Sequence, residues 1–354
     1  MGLHRADTAQ EVGEFHMSPV LRFSALDLAC ERASQTLDTK AVAAGFTVAM
    51  KDVGDSVRGS ADLRGRLGST WTPECRSLMR ACDGIIANAG YFNTYQISQI
   101  LEAMAALGFR HEKVFQALGV ELIMQKRTIT GPEASRILWA CAHLDIRDPG
   151  LLRPLIKTVR AIDRQDLLSP INRARIGLSL ALLSPPHVDA VLSPGYLEDD
   201  NFADPSKCSI GVWGQAYRAL LSTGRINRQD PFSRRGELFT LPPQGEELNT
   251  FELSVHEGLR KFLRHVPHAL EVQQNVAGVF TDFVLYLEDR TIAIECDGYQ
   301  YHYSTGPDGN RVFGRDLIQR SVLEACGLEV VMISSREWRA MSAQQVLLEK
   351  LGSL

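Results

Sequence analysis

A helical pattern that returns after about 38 residues constrains this chain more than any other feature. Segments 97–109 (ISQILEAMAALGF), 134–146 (ASRILWACAHLDI) and 173–183 (RARIGLSLALL) read alike. Leu107 and Leu144 are 37 apart, and Leu144 and Leu182 are 38 apart. Each segment has apolar residues at helical spacing. Small residues (Ala103, Ala105, Ala140, Ala142, Ala181) stand where a neighbouring helix can approach closely. A short polar break follows each one, then a second amphipathic run at 112–124, 151–162 and 187–192. Asp148-Pro149 and Pro185-Pro186 stop helices in the second and third breaks. The unit is helix–turn–helix. A weaker copy starts near Ile210 (IGVWGQAYRALLSTG), and 40–53 reads as an early degenerate one. A single pair of such helices cannot bury both its faces, so the pattern predicts stacking into an α-solenoid, with a non-repeating helical bundle as the alternative.

The pattern breaks at 229–249, which holds three prolines and two glycines without a helical period and reads as a linker. From Thr250 the texture changes. Residues 252–264 form an amphipathic helical run, 272–275 and 280–287 are strand-like, and 288–290 is a tight polar turn. A β-rich run at 291–296 ends in acids. A helix at 315–326 stops at Gly327, a buried-type strand covers 328–333, and a helix closes the chain at 340–351. The order α-β-β-β-α-β-α predicts a small α/β domain. The expected organisation is therefore an all-α helical-repeat solenoid over 1–228, a linker over 229–249 and an α/β domain over 250–354.

The formal net charge is −4 for 38 Lys+Arg against 42 Asp+Glu, which excludes a uniformly basic nucleic-acid binder. The charges are unevenly placed. Residues 251–354 hold 10 basic and 14 acidic residues, whereas 126–175 hold 10 basic and 5 acidic. Contact with a polyanion is therefore expected to be local to the helical part. Thirty of the basic residues are Arg, whose planar fork suits phosphate. The seven cysteines are odd in number and form no CxxC, so reduced thiols in a reducing intracellular compartment are expected rather than disulfides or a zinc ribbon. No run of 18 apolar residues suggests a membrane span. The first 20 residues lack the pattern of a secretory signal, and their acids Asp7, Glu11 and Glu14 argue against an organellar transit peptide. A bacterial cytoplasmic protein or one delivered into a host cell both fit.

The chemistry concentrates at the C-terminal end. Asp282 lies early in one strand (TDFVLYL), and Glu295 and Asp297 end the next (IAIECDG). Side chains alternate along a strand, so Glu295 and Asp297 share a face, and a hairpin partner can bring Asp282 onto it. Three carboxylates at one place repel each other unless a cation neutralises them. Such a cluster holds Mg²⁺ or Mn²⁺ over a phosphodiester. Glu257 on the preceding helix is a candidate supporting acid. His302, five residues after Asp297, is a candidate for activating water or protonating the leaving oxygen. Asp316 and Arg320 lie one helical turn apart and read either as an ordinary i,i+4 pair or, for Arg320 with neighbouring Arg315, as phosphate contacts.

The stretches 280–303 (FTDFVLYLEDRTIAIECDGYQYHY) and 314–338 (GRDLIQRSVLEACGLEVVMISSREW) resemble the RAP domain, a small RNA-associated domain. That domain is itself similar to the very-short-patch-repair-like branch of the PD-(D/E)xK endonuclease superfamily. Asp282-Phe283, then 294–298 (IECDG), His302, Leu323, Gly327, Val330-Val331 and Glu337-Trp338 carry the resemblance in order. Two departures stand out. Cys296-Asp297 follows Glu295 where the general nuclease motif has a lysine, and the histidine comes one position later than the RAP pattern commonly places it. The helical segments resemble octotricopeptide-type repeats that precede RAP domains. The resemblance implies an RNA-selecting solenoid with a C-terminal effector. The expected function is a metal-dependent endoribonuclease with Asp282, Glu295, Asp297 and His302 at its centre. The alternatives are a non-catalytic RNA-binding protein, a DNA endonuclease, and a protein-interaction solenoid with a structural cap.

Overall fold

The computed structural model describes residues 19–36, 38–58, 72–125, 129–163, 168–193, 197, 210–227, 248–297, 306–308 and 312–352. The described chain is mostly helical, with a four-stranded mixed sheet near its C-terminal end. The expected linker at 229–249 lies outside the described residues except for its last two.

The helical part begins with α1 (Pro19–Gln35), α2 (Thr39–Arg58), α3 (Pro73–Ala87), α4 (Thr94–Leu107) and α5 (Glu112–Met124). It continues with α6 (Gly131–His143), α7 (Pro149–Asp163), α8 (Pro170–Leu183) and α9 (Ile210–Ser222). Helices α2, α4, α6, α8 and α9 pack side by side in one row. Helices α3, α5 and α7 form a second row behind it. The local chemistry explains the boundaries. Asn93 and Gln96 cap α4 reciprocally, and Gly108 ends it at φ +66. At the start of α6 the Glu133 carboxylate accepts from both the N–H and the hydroxyl of Thr130. Ser169 accepts from Asn172 N–H at the start of α8, with Pro170 in the first turn.

The run at 187–192 is not an α-helix. Residues Pro185–Ala190 form a 3₁₀ turn, because two consecutive prolines remove amide donors where an α-helix would have to nucleate and few residues follow. Helix α1, which hydrophobic periodicity alone does not single out, covers the open side of α2, and α3 packs on α1.

One carboxylate ties three neighbouring helices of the front row. Glu102 on α4 forms an ion pair with Arg136 Nε of α6 at 3.2 Å and accepts from Arg175 Nη2 of α8 at 2.9 Å. The three side chains are only 19–27% exposed. Glu102→Ala strands two partly buried guanidinium groups and is expected to cost about 2 kcal/mol. Urea unfolding reads this directly, and a loss under about 0.5 kcal/mol, the surface-pair range, would contradict it.

The C-terminal unit consists of α10 (Thr250–Phe262), β1 (Ala269–Val276), β2 (Val279–Tyr286), β3 (Thr291–Asp297), α11 (Gly314–Ala325), β4 (Glu329–Ser334), α12 (Ser335–Ala340) and α13 (Ala343–Leu351). The sheet order is β1-β2-β3-β4, antiparallel between the first three and parallel between β3 and β4. A two-residue turn with positive φ at Ala277 (+52) and Gly278 (+81) joins β1 to β2, the geometry that suits a twisted hairpin.

The two faces of this sheet have different partners. Phe283, Leu285, Ile292, Ile294 and Cys296 pack with Val255 and Leu259 of α10 and with Val346 and Leu347 of α13. Val276, Val279, Val284 and Ala293 belong instead to one continuous core with α11 and the helical array. The sheet unit therefore buries its second face against the helices rather than standing apart, and α11 extends the front row beyond α9.

Backbone fit locks this seam. A Cβ on Gly314 would stand 2.1 Å from the Ala142 carbonyl oxygen, so the first turn of α11 abuts the last turn of α6. Phe313 stacks on His143 at 4.5 Å, and His143 stacks on Trp139 at 5.1 Å. A second contact comes from residues 306–308. Gly306 has φ +122, and its Cβ position lies 2.1 Å from the Arg110 carbonyl oxygen, which only glycine permits. Asp308 accepts from the Glu112 N–H at the start of α5, and its carbonyl accepts from Arg110 Nη1 at 3.4 Å. Residues 306–308, between β3 and α11, are thereby pinned to the turn between α4 and α5.

Candidate functional site

The end of the sheet that carries the acids is built by hairpin register and by the crossover. Phe283 pairs with Ile294 and Val284 with Ala293, so the same register carried one step further sets Asp282 opposite Glu295. The two strands are tied there by Asp282 Oδ2, which accepts from Cys296 N–H at 2.6 Å. Alternation puts Asp282, Val284, Ala293 and Glu295 on the face covered by α11 and the helical array. Cys296 lies on the opposite face, where burial pushes its thiol up from its ordinary value, with Asp282 adding to the effect.

Glu295 is the most perturbed group on this face. Its Oε1 is buried and has no hydrogen-bond partner among the described residues. Burial first, then the charges of Asp282 and Asp316, push its carboxyl from 4.5 up to about 9. Asp316, in the first turn of α11 and 9% exposed, thus belongs to the same charge cluster. Spacing alone makes it half of a helical ion pair. Topology is the signal that finds its true place. A helix joining two parallel strands starts at the end of the sheet where the first strand finishes, so its first turn lies beside Glu295 and Asp297.

Glu295 gives the site a pH signature. The folded value lies above the ordinary one, so the chain binds more protons folded than unfolded between about 4.5 and about 9. Its contribution is fully present below 4.5 and is lost as pH rises through about 9. Glu295→Gln is expected to flatten that loss and to exceed the parent in stability by at least about 1 kcal/mol at pH 8 in EDTA, since each tenfold change in proton affinity is worth about 1.4 kcal/mol. Thermal unfolding from pH 5 to 9 tests this, and coincident profiles for the two proteins would contradict it.

The remaining candidates divide. Asp297 ends β3, two residues beyond Glu295 and paired with Ser334 of β4. Its side chain, that of Arg315, and all of His302 lie outside the described residues. Glu257 is not brought to the cluster. Helix α10 buries Val255 and Leu259 against the other face of the sheet, and Glu257 is exposed. Arg320 is exposed and pairs with Glu324 at 2.8 Å, not with Asp316. Among the described residues, no group of three His, Cys, Asp or Glu side chains is spaced to hold a metal ion. The pair Asp282–Glu295 with Asp316 supplies carboxylate oxygens alone, the donor type a hard divalent cation takes, and the buried, partnerless Glu295 Oε1 fits such an ion.

A second feature lies on the front row of helices. Lys51 of α2, Tyr95, Gln99 and Glu102 of α4, and Arg136 of α6 line a polar groove across neighbouring helices. Arg136 lies 5.8 Å from the Tyr95 ring centre, and Arg175 of α8 lies 4.6 Å from that of Trp139. Guanidinium planes and aromatic rings in register on successive helices are the groups that stack on unpaired bases. Two arginines of the basic stretch 126–175 are partly neutralised here by Glu102.

No protein-family model matches the chain, and no curated protein matches it. No described helix is long and apolar enough to cross a membrane.

Proposed function

We propose that the protein is an RNA-binding, metal-dependent endoribonuclease, in which the helical array selects the RNA and the acidic end of the sheet cuts it. The observation that carries this reading is the buried Glu295 Oε1, which has no hydrogen-bond partner among the described residues, beside Asp282 and Asp316. A buried carboxyl of this kind costs stability and performs no structural task that a Gln or Leu could not perform better. The acidic pair at strand ends, with Asp297 two residues on, is the arrangement that the resemblance to RAP and very-short-patch-repair-like domains implies for a nuclease centre.

Asp282, Glu295 and Asp297 would hold Mg²⁺ or Mn²⁺, with Asp316 in reserve as a fourth oxygen donor. The ion would supply positive charge against the scissile phosphate and orient it. The chain's own groups do the rest. Asp282 is fixed by the Cys296 N–H and so holds its other oxygen in one direction. Glu295 gives up its proton when a cation arrives. His302 exchanges the proton at the attacking water or the leaving oxygen. The exposed Tyr95 ring and Arg136, with Lys51 beside them, hold unpaired bases along the front groove.

The test is purified full-length protein with structured and single-stranded RNA, with Mg²⁺ or EDTA, beside Asp297→Ala. Cleavage that needs Mg²⁺ and disappears in the variant is expected. Equal cleavage by both proteins refutes the assignment. RNA binding that survives EDTA with no cleavage under any condition would favour the non-catalytic binder, and a strong preference for DNA in competition would favour a DNA endonuclease.

A further inference from the structure

Where helices α6, α8 and α9 meet α11 lies a cavity of about 190 Å³. Its wall includes Trp139, His143, Leu178, Arg218, Ile318 and Gln319. It is separate from the carboxylate cluster and from the front groove. It lies at the seam that joins the helical array to the sheet.

Arg218 sets this cavity apart. Four other well-packed arginines of the helical array meet a carboxylate. Arg136 and Arg175 pair with Glu102, Arg225 with Asp189, and Arg110 with Glu112. Arg218 is sunk in the seam and pairs with no described carboxylate. Its Nη1 donates to the Gly278 carbonyl at a long 3.3 Å, which reaches the β1–β2 turn. Burial lowers the pKa of its guanidinium from the ordinary value. A guanidinium carries five N–H donors in a fixed fork, and a buried cation that lacks a counter-charge is costly to keep. The cavity into which it faces adds a donor amide, Gln319, and no acid.

We propose that this cavity binds a single phosphoryl group, held by the Arg218 fork. Its volume falls below that of sites for whole drug-sized ligands, so one phosphate with its immediate ester carbon is the size it accommodates. The flat fork matches two phosphate oxygens, and Gln319 adds a third donor. Leu178 and Ile318 add apolar wall beside the pair. The phosphoryl group has two sources, the end of an RNA strand or a free phosphate such as a phosphorylated small molecule. Occupancy would neutralise a charge in the very seam that fixes α11, and with it Asp316, against the helical array.

The experiment uses the full chain in EDTA, where no cleavage occurs, at constant ionic strength. Inorganic phosphate, acetate, and short oligoribonucleotides with a 5′-phosphate or a 5′-hydroxyl end are titrated calorimetrically into the parent and Arg218→Met. The parent is expected to bind phosphate at least tenfold more tightly than acetate, and Arg218→Met to lose that binding. Arg218→Met should keep or raise the melting temperature, because it removes an uncompensated cation. A tenfold preference for the 5′-phosphorylated oligonucleotide, lost in the variant, assigns the site to an RNA end. Phosphate binding with both oligonucleotides alike assigns it to a free phosphate. Equal binding of phosphate and acetate, equal phosphate binding by the two proteins, or a fall of many degrees in the melting temperature of Arg218→Met overturns the proposal.

Discussion

Glu295→Gln is expected to lower Mg²⁺-dependent RNA cleavage by about 10²–10³-fold, the range found when one preorganised charge-stabilising group is removed from an active site. The substitution keeps the shape of the side chain and removes its ability to ionise. Fold and RNA affinity should therefore persist, and the loss should fall on the rate of the cleavage step. In the folded chain, burial and the neighbouring acids push Glu295 up to about 9, so at neutral pH it carries a proton when no cation is present. A divalent ion must displace that proton, which makes metal binding stronger as pH rises. The parent's requirement for Mg²⁺ should fall between pH 6 and 9, and calorimetry in two buffers of different ionisation enthalpy should show proton release. If the variant cleaves at the parental rate, Glu295 does not act in the reaction. The pH-stability behaviour of the same variant is a separate test, because it reads burial and not chemistry.

The second large effect concerns the seam. Gly314→Ala is expected to destabilise the protein by about 3 kcal/mol, at the upper end of what overpacking a well-filled site costs. The added Cβ would stand 2.1 Å from the Ala142 carbonyl oxygen and 2.8 Å from its carbon, both backbone atoms that cannot rotate away. Helix α11 would have to back off α6, lifting Phe313 from His143. At roughly 1–2 °C per kcal/mol for a chain of this length, the melting temperature should fall by about 3–6 °C. Gly214→Ala supplies the opposite sign. It lies inside α9 with nothing within 4 Å of its Cβ position, so the gain in helix propensity of about 1 kcal/mol should stabilise. Two glycine-to-alanine changes with opposite outcomes isolate the steric contact from any general effect of the substitution. Equal, small effects would mean that α6 and α11 are not held as described.

Much of the C-terminal unit is legible in the sequence because its signals are local. Alternation and β-branched residues mark β2 and β3, and the break at Gly327 ends α11, but the single closing helix expected at 340–351 is two helices, with α12 capped by Ser334 and Glu337 and ended at Met341 before α13. The acids of the sheet end follow from the same alternation. What the sequence conceals is whatever depends on long-range packing. Glu257 precedes the acidic strands in sequence, but α10 sides with α13 on the far face, a choice made by Val255, Leu259 and the apolar residues of the strands they meet. Asp316 resembles half of an i,i+4 pair because its spacing to Arg320 is helical. The crossover topology that carries it to Glu295 is invisible in a window of that size. The helical period shows which segments become helices. It does not show that the sheet completes the same core, since Val284 and Ala293 read as ordinary strand residues until the array is seen to cover them.

The most direct test of the central claim is a crystal of the full chain soaked in Mn²⁺ above pH 8 and measured at the manganese edge. An anomalous peak between Asp282, Glu295 and Asp297, within about 2–2.5 Å of their oxygens and lost in Glu295→Gln, is the predicted result. A saturating soak that leaves this end of the sheet empty, with or without manganese bound elsewhere, would contradict it.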